Sequence, residues 1–88
     1  MKRDEFIGIL ATEGFDVIVT VEQPAGQFLA AHAHPFEAKA LILDGELCLG
    51  IGDTEHVYKP GQVFHLRANE VHAEHYGPAG VTYLVGRK

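Results

Sequence analysis

The stretch Gly26–Gly45, GQFLAAHAHPFEAKALILDG, sets His32 and His34 one residue apart within an apolar run. In a β-strand successive side chains point to opposite faces, so residues i and i+2 share a face and these two imidazoles can converge on one point. Two neutral imidazoles on one face are half of a transition-metal site. A third, His72, follows about 40 residues after His32, beyond a turn signal at Pro60-Gly61. The rest of the chain reads as a way of bringing His72 to face the pair.

Working outward, the alternation around this stretch is that of strands. Gln27–His34 and Ala38–Leu43 are rich in apolar residues, and Asp44-Gly45 is a tight-turn signal that predicts a hairpin between 41–43 and 46–49. Upstream, Phe15–Val21 is a β-branched run closed by a turn at 23–26. Downstream, a turn at 50–54 leads to strands over 55–59, 63–66 and 71–76. A Gly77-Pro78-Ala79-Gly80 turn then precedes a last strand over 81–85. Short strands at near-regular spacing predict an all-β sandwich or barrel. No segment has the pattern of a crossover helix, which argues against a parallel sheet. Only the start is helical. Phe6, Ile7, Ile9 and Leu10 make one face, with Asp4 as N-cap and Gly14 as the stop. The reading is therefore one domain over 1–88, a short helix in 1–14 and a barrel in 15–88, the helix serving as a lid over a barrel end or a brace at a dimer contact.

Composition narrows the function classes. With 88 residues the core is small, and such domains draw on a metal, disulfides or self-association. The single cysteine, Cys48, excludes an internal disulfide and, with no secretory signal, points to a reducing cytoplasmic setting. A net charge of -5 with seven basic residues argues against a nucleic-acid partner. No apolar run reaches the roughly 20 residues of a membrane span.

The residues then take on a more specific pattern. Gly26-x5-His32-x-His34 followed by Gly45 resembles the first motif of the cupin superfamily, and Gly61-x5-Arg67-x-Asn69-x2-His72 resembles the second. The two span more than half of the chain. The resemblance implies a cupin-like jelly-roll β-barrel holding a divalent metal through His32, His34 and His72. It implies iron or manganese first, with nickel, zinc, copper or cobalt in other members, and a homodimer with N-terminal contacts. The small core and an otherwise exposed N-terminal strand edge point to the same association.

The departures are informative. The glutamate ligand of the first motif would fall on Ala38 or Lys39, and Glu37 stands one place early, facing outward by alternation. Only a bulge would make Glu37 a fourth ligand. In the second motif Arg67 and Asn69 replace proline and glycine, and the terminal asparagine falls on Tyr76. Asn tolerates the left-handed backbone that glycine would supply. Arg67 is placed at the rim of the cavity.

Three neutral imidazoles leave a divalent metal its full charge and open positions, suited to a small polar or anionic ligand. Dioxygenase, decarboxylase and isomerase chemistry all follow from such a centre, as does a non-catalytic ligand-binding or sensing barrel. Tyr76, His75 and Tyr83 are the candidates for proton transfer. The plainer readings make His65 a barrel-wall or surface residue, His56 exposed, and Cys48 a small buried hydrophobe. Lys39 is a solvated edge lysine, and Phe28, Phe36, Phe64 and Tyr83 are core before they are pocket.

Overall fold

The computed structural model describes residues 1–88 as one helix and six strands. They are α1 (Arg3–Thr12), β1 (Val17–Gln23), β2 (Phe28–His32), β3 (Ala38–Ile51), β4 (Thr54–Tyr58), β5 (Val63–Leu66) and β6 (His72–Arg87). Every pairing is antiparallel. β6 runs beside β3 along its length, and its other side takes β2 near His72 and β1 near Arg87. β3 in turn pairs with β5 through Ala38–Leu41 and with β4 through Leu47–Ile51. The result is a ribbon four strands wide whose outer strands are each broken in two.

The Asp44-Gly45 hairpin and the Gly77–Gly80 turn are not formed: both stretches lie inside long strands. On β3 the buried inward positions are Ala38, Ala40 and Ile42, then Leu47 and Leu49. On β6 they are His72, Glu74 and Tyr76, then Val81, Tyr83 and Val85. Parity flips at the glycines in both strands, and the β3–β6 register shifts between Ile42 and Asp44 and again between Gly45 and Leu47. An extra residue in a strand has this effect, together with a bend. The breaks in the outer strands lie level with these points. The Gly26 N–H donates to the Gly77 carbonyl and the Gly61 N–H to the Ile42 carbonyl. Inward residues from both sides of the bend share one core cluster, so the ribbon folds over on itself and closes around it.

Gly45 and Gly80 adopt positive φ of 73° and 75° at this corner, and a Cβ on Gly45 would collide with the Gly80 carbonyl. The 41–43 and 46–49 segments, which sequence pairs with one another, instead find partners across β6, Leu41 with Leu84 and Leu47 with Tyr76.

Helix α1 packs on the outer face of this ribbon and is not the expected lid over a barrel end. Phe6 and Leu10 are fully buried against Phe15 and the outward-facing pair Leu41 and Leu84, each such burial contributing about 1.5–3 kcal/mol. Lys2, with extended backbone, occupies the N-cap position without a side-chain bond; Asp4 sits in the first turn, where its charge favours the helix dipole. Gly14, at φ 82°, ends the helix as expected. The Gly14 N–H donates to Ala11 O and the Phe15 N–H to Leu10 O, and Phe15 packs on Leu10, a Schellman closure.

Candidate metal centre

His32 closes β2 directly opposite His72, the first residue of β6, and His34 follows two residues later. The ring centroids lie 4.8 Å (His32 to His34), 4.3 Å (His32 to His72) and 5.2 Å (His34 to His72) apart. One nitrogen from each ring falls within 4.8 Å of the others, a spacing able to hold a metal ion. Backbone carbonyls orient two of the rings: His32 Nδ1 is 2.8 Å from Ala30 O and His72 Nδ1 is 2.9 Å from Glu70 O. A carbonyl only accepts, so each Nδ1 carries a proton and Nε2 is the nitrogen turned toward the other rings, the one that ligates when the ring is neutral. His32 Nε2 is buried without a hydrogen-bond partner. A buried acceptor left unpaired is costly, and a cation shared with the other two rings would satisfy it. His34 stacks on Phe36 at 4.9 Å, and burial, then the charges of His32, His72 and Arg87, hold its pKa below the ordinary histidine value. The neutral imidazole is the form that ligates.

The loop between β5 and β6 fixes this arrangement. Asn69 takes φ 63°, the only non-glycine residue with positive φ, and its N–H donates to the His34 carbonyl at 2.6 Å. Glu70 closes the turn on itself, Oε1 accepting from the Arg67 N–H at 3.0 Å, while its carbonyl holds His72. The Asn that stands for the motif's glycine therefore does the glycine's backbone work.

The remaining expected site residues fall in different places. Glu37 is no member of the cluster: its carboxylate is bound by His65, with Lys88 Nζ 3.9 Å away. His65 first, then Lys88 and Lys39, hold the Glu37 carboxyl below its ordinary value against the opposing effect of burial. The backbone of Glu37 exchanges two hydrogen bonds with Lys88, which fixes its outward setting. His75 alternates out of the barrel and meets Phe28 edge-on, so neither faces the site. Tyr76 is buried in the core, its pKa pushed up to about 12 by burial and by Glu74. Tyr83 lines the cavity beside the histidines, and burial raises its pKa too. Lys39 pairs with Glu13 at 2.8 Å, on the helix side. The Cys48 thiol is pushed up by partial burial and by Glu55.

A cavity of about 50 Å³ adjoins the histidines, walled by Phe36, Phe64, Tyr83 and two charged residues that sequence reasoning did not select, Glu74 and Arg87. Arg67 is exposed, and the arginine of the cavity is Arg87. Its Nε is buried without a hydrogen-bond partner and its guanidinium lies 5.1 Å over the Phe36 ring. The signal was present in alternation: Tyr83, Val85 and Arg87 share a face, but the expected strand ended at Val85. In the same way His72, Glu74 and Tyr76 share a face.

A family model described as the cupin domain matches residues 19–79. The chain belongs to the cupin family. Its jelly-roll architecture is shared with solved cupin-like structures. A Rhizobium leguminosarum protein of unknown function aligns at a TM-score of 0.75 and 14% identity, over 80% of this chain and 66% of that one. An RmlC-like cupin from Shewanella frigidimarina aligns at 0.69 and 17% identity, over 81% and 64%. The DMSP lyase DddQ from Ruegeria pomeroyi aligns at 0.73 and 26% identity, over 81% of this cupin and 36% of the lyase. This cupin thus spans less than two thirds of the length of most of these relatives. No curated protein matches it in sequence. No helix is long and apolar enough to cross a membrane.

Proposed function

We propose that this cupin is a metal-dependent protein that binds a small anionic ligand at a three-histidine divalent centre, His32, His34 and His72, and acts on it chemically. The observation that carries the reading is the convergence of the three imidazoles with the buried His32 Nε2 left unpartnered. Iron or manganese is favoured, with nickel, zinc or copper as substitutes. When bound, such an ion supplies Lewis acidity toward a ligand oxygen, or redox capacity in dioxygenase chemistry. The chain's own residues do the rest. Arg87, its Nε unpaired at the cavity wall, receives a carboxylate or similar anion. Phe36 and Phe64 exclude water around it. Tyr83, held protonated by burial, donates a hydrogen bond to a ligand oxygen. Decarboxylase or isomerase chemistry suits this set, and a lyase among the structural relatives supports an enzyme. The second reading is a non-catalytic receptacle, favoured by the raised pKa of both Tyr76 and Tyr83, which leaves neither as a ready proton acceptor. We place the protein in the cytoplasm as a homodimer.

The test is elemental analysis of untagged protein, wild type beside His34→Ala. About one divalent transition metal per chain, lost in the variant, is the expected result; no metal in either sinks the metal reading. Turnover of small carboxylates by the loaded protein separates enzyme from receptacle.

A further inference from the structure

We propose that Glu74 is the fourth, carboxylate ligand of the histidine centre, supplied by β6 in place of the first-motif glutamate that this chain lacks. The inference rests on the metal reading above and deepens it. Glu74 follows His72 by two residues and so projects from the same face of β6 into the same space. Its Oε2 stands 3.5 Å from His32 Nε2 and 3.7 Å from His72 Nε2. Two donors held about 2.1 Å from one ion at a tetrahedral angle lie about 3.4 Å apart. Those separations therefore suit donors to one ion, and they exceed the reach of a good hydrogen bond.

Burial points the same way. Glu74 is 7% exposed, beside His72 at 2%. A buried carboxylate is retained where it is paired or coordinates a metal. With Nδ1 of His32 and His72 each held on a backbone carbonyl, both rings turn Nε2 toward Glu74. A cation shared by Glu74, His32 and His72 satisfies these three groups together, beside the His34 ring. The rival carboxylate, Glu37, is committed to His65. Addition of a carboxylate lowers the net charge of the centre from +2 to +1 and shifts its preference toward iron and manganese over copper.

The test uses metal-free full-length chain titrated with Co²⁺ alone, followed by calorimetry and by visible absorption. Wild type, Glu74→Gln, Glu74→Asp, Glu37→Gln and His34→Ala are compared. Glu74→Gln is expected to weaken Co²⁺ binding by about 10–100-fold or more and to change the visible spectrum, with Glu37→Gln matching wild type. Glu74→Asp keeps the charge but withdraws the oxygens by one methylene. It is expected to fold and to shift the spectrum even where the glutamine variant does not fold. Wild-type affinity and spectrum in both Glu74 variants, with loss of binding in His34→Ala, overturn the Glu74 assignment and leave the three-histidine centre standing. Absence of Co²⁺ binding by wild type overturns both.

Discussion

Glu37 and Asn69 show how much one position decides. A single place in sequence separates Glu37 from the motif's ligand position, and on a strand that place reverses the face. Its carboxylate then serves as a tie between the start of β3, His65 on β5 and the C-terminal Lys88. Because the folded pKa of Glu37 is lowered, the folded state holds this proton less readily than the unfolded chain. The associated stability is complete above the ordinary carboxylate value of 4.5 and is lost as pH falls through the lower folded value. Thermal melts of wild type and Glu37→Gln are therefore expected to differ at about pH 6 and to converge toward about pH 3. A difference that grows on acidification contradicts the assignment. Asn69 was legible in advance, since its tolerance of the left-handed region is a property of the residue alone.

At the scale of elements, the corner was the part that sequence could not resolve. A hairpin and a bulged bend both restart the apolar alternation after a glycine, so Asp44-Gly45 and Gly77–Gly80 satisfy either. What decides is where Leu41 and Leu47 find partners, and that is a long-range fact: they pair with Leu84 and Tyr76 on β6. The histidines escaped this ambiguity because none lies at the corner: His32 ends β2, His72 begins β6, and His34 follows in the connection to β3. Glu74 and Arg87 are hidden for a different reason: an inward charge in a barrel is against the ordinary rule for charged residues, so alternation alone does not select them. Two glycines separate the contributions at the corner. Gly52 and Gly45 both have positive φ, 58° and 73°, but a Cβ on Gly52 meets nothing while one on Gly45 strikes the Gly80 backbone. Gly52→Ala is expected to cost about 1 kcal/mol, the left-handed penalty alone. Gly45→Ala is expected to cost at least about 2–3 kcal/mol, lowering the melting midpoint by roughly 10–20 °C in a domain of this size. Equal melting temperatures for the two variants contradict the corner as described.

At the scale of the molecule, the exposed area of 5163 Å² is close to the about 5,100 Å² expected of a self-sufficient monomer of 9.6 kDa. A shortage of core is therefore no ground for expecting association. The distribution of apolar surface is a better ground. β1 and β2 pair with β6 alone and leave their other sides as free edges. These edge strands carry Val17 at 50%, Ile18 at 39%, Phe28 at 66% and Leu29 at 43% exposure. Unpaired edges bearing large apolar side chains are where β proteins meet one another. A standard interface buries about 800 Å² per partner, and these two strands follow one another along the same side of β6. Wild type is expected to run by light scattering at twice the chain mass of 9.6 kDa. Phe28→Glu, which sets a charge on the outer face against His75 and away from the three-histidine cluster, is expected to run as a folded monomer with undiminished Co²⁺ binding. A wild-type monomer at all concentrations, or a dimer indifferent to Phe28→Glu, moves the contact away from this edge.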